Sequence, residues 1–163
     1  MSAAVVIRAA APDDVGHIAR FIRDLAVYEK LEHELQLDEQ ALAGHLFGPT
    51  PCCGALIAET DAAPVGFALY FTSYSTFLTS PCMHLEDLYV DPGQRGKGVG
   101  LALLRAVAAV AVERGCKRLD WSVLDWNTPA IGFYERQGAT VLPDWRVCRV
   151  AGDALVAMAA GRG

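Results

Sequence analysis

The stretch Gln94–Gly100, QRGKGVG, sets Gly96, Gly98 and Gly100 at alternate positions, with Arg95 and Lys97 among them. An apolar run, HLEDLYV, precedes it, and a long Ala/Leu/Val run, LALLRAVAAVAV, follows. Glycine is costly inside regular structure, so its density here marks a turn from a strand into a helix. The first amides of a helix have no intrahelical partner, and the helix dipole adds partial positive charge to them. Glycines also remove the Cβ atoms that would block close approach. Together these features make an anion site, and the two cations at its rim suit a diphosphate. The candidate cradle is Arg95, Gly96, Lys97, Gly98, Val99, Gly100 and Leu101. It is not a GxxxxGK[ST] loop, because Gly98 stands where a magnesium-binding hydroxyl is required. The dinucleotide fingerprint GxGxxG also fails, since the spacing here is GxGxG.

The strand before the loop, CMHLEDLYV, carries a second signal. Met83 and Leu85 share one parity, whereas Leu88 and Val90 share the other. A strand with one buried face keeps its parity, so the switch predicts one extra residue, a β-bulge, at Glu86–Asp87. A bulge leaves backbone groups unpaired and open to a ligand. Simple alternation puts Asp87 on the face opposite Glu86. Upstream, YEKLEHELQLDE holds five acids and one lysine and reads mostly as a solvated helix face. His17, His33, His45 and His84 lack ligand spacing, and no metal site is expected.

The elements that must position these residues follow from periodicity. VVIRAA reads as a strand, and Val15, Ile18, Ala19, Ile22, Leu25 and Ala26 follow a helical period. LDEQALAGHLFG reads as a second helix. GALIAET and PVGFALYFTS read as strands joined by a turn near Asp61–Pro64. After the glycine loop a helix runs to about Glu113, then CKRLDWSVL is a strand. NTPAIGFYERQG is a helix capped by Asn127 or Thr128 and stopped by Gly138. DWRVCRVAGDALVAMA reads as a closing hairpin turning at Gly152–Asp153. This mixed α/β order predicts one largely antiparallel sheet flanked by helices. At 163 residues the chain is expected to be one domain, 1–163.

Composition narrows the class further. The net charge of -5 disfavours a nucleic-acid module and is compatible with a cationic substrate. No signal-peptide core or membrane-length apolar run is present, and the five cysteines show no zinc or CxxC spacing, which points to the reducing cytoplasm. Trp121, Trp126 and Trp145 read as core or interface packing.

Arg95, Gly98 and Gly100 match an R/Q-x-x-G-x-G/A element, and the sequence resembles the GNAT superfamily of N-acetyltransferases. The likeness runs from VIRAAAPDD to VAMA. LAVYEKLE, GFALYFTSYSTF, LEDLYVDPGQRGKGVG and DWNTPAIGFYERQGA make it similar, more narrowly, to the spermidine/spermine (diamine) N-acetyltransferase branch.

That resemblance implies an α/β fold whose central strands splay to admit acetyl-CoA. It implies that the cradle binds the coenzyme's pyrophosphate and that backbone amides of Leu88, Tyr89 and Val90 meet the thioester carbonyl and pantetheine. Asn127 and Ala130 are implied as further coenzyme contacts. Tyr134 is implied as the acid that protonates the sulfur, and Glu86 as the base for the substrate amine, through water. Tyr28 and Glu29 match substrate-contacting positions, and a homodimer is implied.

The expected function is acetyl-CoA-dependent acetylation of a small primary amine by direct attack in a ternary complex. The sequence departs from the polyamine enzymes at two places. Ser75 stands where they carry an acid, and an acidic pair before Trp145 is reduced to Asp144. Fewer carboxylates weaken the attraction for a polycation, so polyamines, diamines and thialysine-like amines all stay in view. A protein amine as acceptor, and a non-catalytic acyl-CoA sensor, are the alternatives.

Overall fold

The computed structural model describes residues 4–162. Two compact units make up the chain, Met1–Ser122 and Val123–Gly163. The first holds β1 (Val5–Ala9), α1 (Val15–Glu29), α2 (Glu39–Phe47), β2 (Gly54–Thr60), β3 (Ala63–Ser75), β4 (Ser80–Val90), α3 (Val99–Glu113) and β5 (Leu119–Asp120). The second holds α4 (Thr128–Arg136) and α5 (Asp153–Ala159).

The strands form one sheet in the order β1-β2-β3-β4-β5. Its first three pairings are antiparallel, and β4 with β5 is parallel. The expected mixed, mostly antiparallel sheet is therefore present. The β2–β3 turn is tight because Asp61 and Ala62 both take positive φ, 50° and 59°.

One face of the sheet packs on α1. Phe21 stacks on Phe67 with ring centroids 5.6 Å apart, and Tyr89 lies 5.9 Å from Phe21. Ile18, Ile57 and Leu69 complete this cluster. Burying each such side chain stabilises the fold by roughly 1.5–3 kcal/mol. From α3, Val99, Leu103, Val107 and Ala111 are buried at i,i+4 spacing, with Leu104 beside them. That apolar stripe fixes where the helix begins, and so where the glycine loop sits.

Three expectations are corrected. The strand read in CKRLDWSVL shortens to Leu119–Asp120, with only Met83↔Leu119 and His84↔Asp120 in register. The closing hairpin does not form within the described chain. Residues 144–150 take no regular structure, and DALVAMA folds as α5 behind Gly152. Ala, Leu and Met favour a helix, and no strand of the described residues pairs with 144–150, so local preference prevails. Trp145 is 78% exposed and Trp126 44%, so neither is a core residue. No helix of the described residues is long and apolar enough to cross a membrane.

Candidate active site

The bulge lies where parity places it. Leu69 pairs with Asp87 and Tyr70 with Leu85, which leaves Glu86 as the extra residue of β4. The alternation assumed for Asp87 breaks at this point. Asp87 is opposite Leu69, a member of the cluster under α1, so it faces α1 and not the far side of the sheet. Sequence reasoning set this residue apart from the chemistry, and the structure brings it in.

Burial, reinforced by the Glu86 carboxylate and then by Glu29, pushes the Asp87 carboxyl up to about 7. Glu29, at the end of α1, is itself raised by burial. Three carboxyls thus share one electrostatic environment beside the bulge. Such an environment attracts an ammonium ion and supplies an acceptor near neutral pH.

Asp87 has a consequence for stability. Folded protein keeps its proton up to about pH 7, whereas an unfolded aspartate releases it near ~3.9. Its stabilising contribution is complete below the unfolded value and is lost as pH rises through about 7. Asp87→Asn is therefore expected to melt about 2–4 °C higher than the parent at pH 8, the response to roughly 1 kcal/mol in a chain this size, and to differ little at pH 4. Thermal melts at the two pH values check this, and a constant difference between them would refute it.

Beyond the bulge, β4 offers a free edge. The Asp91 amide donates to Val65 O at 2.8 Å, which sets the hydrogen-bond alternation of the β3–β4 ladder. Tyr89 then turns its amide toward β3, and Leu88 and Val90 turn theirs toward the opposite edge. On that edge the pairing with β5 ends at His84. Of the three amides expected to meet the coenzyme, those of Leu88 and Val90 point to this open edge, and the ladder uses that of Tyr89.

The glycine loop follows directly. Gly96 has φ 74° and Gly98 φ 85°, and a Cβ on either would meet no atom of the chain within 4 Å. The first helical bond of α3 runs from the Ala102 amide to Gly98 O at 2.9 Å. Among the described residues, the amides of Val99, Gly100 and Leu101 come before that bond and donate to no acceptor in the chain. An open, amide-lined hollow of this kind fits the diphosphate of acetyl-CoA.

The loop is firmly tethered. Arg20 donates to both Asp91 oxygens, at 2.8 and 3.1 Å. Arg95 Nε donates to Val90 O at 2.8 Å, and its guanidinium lies over Tyr28 and Tyr89, 5.0 and 5.3 Å from the ring centroids. Arg95 thus ties Tyr28, on the predicted amine side, to the loop. Lys97 reaches Gln94 at 3.2 Å and is exposed. The Arg20–Asp91 pair escaped the sequence reading because its members are 71 residues apart.

In the second unit, the Asn127 side chain caps α4 by accepting from the Ala130 amide at 3.4 Å. Tyr134 lies within α4, its ring 5.3 Å from that of Phe133. No group of three or more metal-ligating side chains occurs among the described residues.

A bulged strand with a free edge, followed by an amide cradle on the next helix, defines a class: an acyltransferase that holds its donor against the strand. The comparisons agree. The Acetyltransferase (GNAT) family profile matches residues 18–139. Thialysine N-epsilon-acetyltransferase of Bos taurus is 41% identical over 162 residues, covering 93% of this chain and 95% of that protein. L-ornithine N5-acetyltransferase NATA1 of Arabidopsis thaliana is 32% identical over 197 residues, covering 93% and 86%. An integron cassette protein from the mobile metagenome of V. cholerae superposes with a TM-score of 0.78 at 28% identity, covering 98% of each chain.

The chain belongs to the acetyltransferase (GNAT) family and is an acetyl-CoA-dependent N-acetyltransferase. Within that family it falls in the spermidine/spermine-like branch.

Proposed function

We propose that the protein acetylates the terminal amine of a small, thialysine-like amino acid, and that residues 1–163 act as one catalytic domain. The observation that carries this reading is the set of carboxyls around the bulge, Glu29, Glu86 and Asp87, on the strand that leads straight into the cradle. Relatives named for thialysine and for ornithine support the same substrate class. Ser75 adds to it. It is buried, and its Oγ accepts the Leu78 amide at 3.2 Å, so it holds a turn and offers no charge to a distal ammonium.

Bound acetyl-CoA supplies the acetyl group as a thioester. The amides of Val99, Gly100 and Leu101, with Arg95, Gly96, Lys97 and Gly98 around them, hold the diphosphate end. The Leu88 and Val90 amides orient the pantetheine arm and polarise the acyl carbonyl, the kind of fixed donor that offsets developing negative charge. Asn127 and Ala130 add contacts from the start of α4. Tyr28 and Glu29 seat the amine.

An alkylammonium has a pKa near ~10.4, so it must shed a proton before its lone pair can attack. Glu86, exposed at the bulge, takes that proton through water. Tyr134 protonates the departing sulfur. Trp145, Val147, Val156 and Met158 are exposed by 64–78% in the second unit, which supports the homodimer as the working form. Light scattering that returned the mass of a single chain would overturn the dimer.

The substrate is tested by following free thiol release with thialysine, ornithine, lysine, diaminopropane, spermidine, spermine and a lysine peptide. The expected kcat/KM is at least about tenfold higher for thialysine or ornithine than for spermidine or spermine, a difference of roughly 1.4 kcal/mol. Preference for the polyamines or for the peptide would overturn the assignment. No turnover with any of them would favour the sensor.

A further inference from the structure

We infer that His84 is a positioning residue for this reaction, and that it draws the amine's proton on from Glu86. The inference rests on the reading that Glu86 meets the amine. Three observations carry it. His84 Nε2 lies 3.5 Å from Glu86 Oε2. His84 is opposite Phe71 across the β3–β4 ladder, with the two rings 4.8 Å apart at 34°, which fixes the plane of the imidazole. It also stands at the last β4–β5 pair, where the free edge of β4 begins.

The chemistry explains why a second acceptor helps. A carboxylate is a weak base toward an alkylammonium, and proton transfer is most efficient when the acceptor matches the working pH. Imidazole is the side chain that changes charge across that range. In the proposed step the amine N–H bond breaks and an O–H bond forms on Glu86 through water. The proton then passes from Oε2 to Nε2, which restores the carboxylate for the next turnover. The His84 side chain is 27% exposed, enough to hand the proton to solvent.

Other charges bear on the imidazole. Glu86 is its neighbour on its own strand, and Asp87 and, from α1, Glu29 lie around the same bulge. Asp120 is its partner on β5 and is held by Arg118 Nε at 2.7 Å. From β3 it meets Phe71, which is uncharged. The charged groups around it are thus mostly anionic, with Arg118 already engaged by Asp120.

The test is the pH dependence of kcat for His84→Phe, which keeps a ring against Phe71. About a tenfold loss is expected at pH 7, shrinking toward parity near pH 9, where solvent takes the proton unaided. Acetyl-CoA affinity, read by calorimetry, should not change. His84→Ala, should the ring be too bulky, is expected to regain activity with added imidazole. A parental kcat at pH 7, or a loss equal at every pH with no imidazole rescue, would overturn the relay. Glu86→Gln is measured alongside. If it keeps full activity, the Glu86 reading itself fails. If it collapses while His84→Phe is normal, only the role of His84 fails.

Discussion

Tyr134→Phe is expected to lose two to four orders of magnitude in kcat while binding acetyl-CoA as the parent does. The range is that of one lost general acid, roughly 10²–10⁴. The reason lies in the leaving group. As the C–S bond breaks, the sulfur acquires the charge of a thiolate, whose conjugate thiol has a pKa near ~8.5. A phenol hydroxyl delivered to that sulfur neutralises the charge as it forms, and phenylalanine has none to deliver. The ring itself is kept, and with it the contact to Phe133 at 5.3 Å, so α4 should fold unchanged. Stopped-flow turnover with calorimetric acetyl-CoA binding separates the two effects. A variant that turns over at the parental rate would remove Tyr134 from the chemistry.

The second large effect is expected at the cradle. Gly98 caps α3 with φ 85° and ψ 0°, a left-handed conformation that a β-branched residue adopts only at a cost. Gly98→Val should strain that turn by roughly 1–3 kcal/mol and place methyl groups in the hollow. The expected result is a rise of about 100-fold in the Kd for CoA, some 2.8 kcal/mol. Strain and obstruction are mixed in that variant, and Gly100→Ala separates them. Gly100 has no positive φ, and its added Cβ would meet Val90 Cγ2 at 3.8 Å, an ordinary contact. Gly100→Ala should therefore melt like the parent and still bind CoA at least several-fold more weakly, because its methyl group sits without strain in the chain and would crowd only a diphosphate bound in the cradle. Normal CoA binding by both variants would mean that the diphosphate sits elsewhere.

The sequence disclosed these features unevenly, for physical reasons. The glycine loop was legible because glycine density and a following apolar helix are local signals. The bulge was legible because an inserted residue switches the parity of Leu88 and Val90 against Met83 and Leu85. The facing of Asp87 was not, since alternation is a rule for regular strands and fails at the residue where the bulge sits. Nor was it visible that Tyr89 spends its amide on β3, because that depends on the Asp91–Val65 bond between distant segments. The stretch 144–150 looked like half of a hairpin because strand patterning is read without knowing whether a partner is present. His84 was set aside with the other histidines because a lone histidine has no motif, and only the ladder sets its ring against Phe71.

The extra residue in β4 also sets what the chain tolerates in length. Many side chains at position 86 would leave the fold intact, since the residue there pairs with nothing on β3. Deleting it is a different matter. Closing the gap would slip the strand by one, turning Leu85, Met83 and their neighbours inside out or forcing a new crease elsewhere. For the fold, position 86 is thus permissive to replacement and closed to omission: it is a spacer, whatever its side chain does.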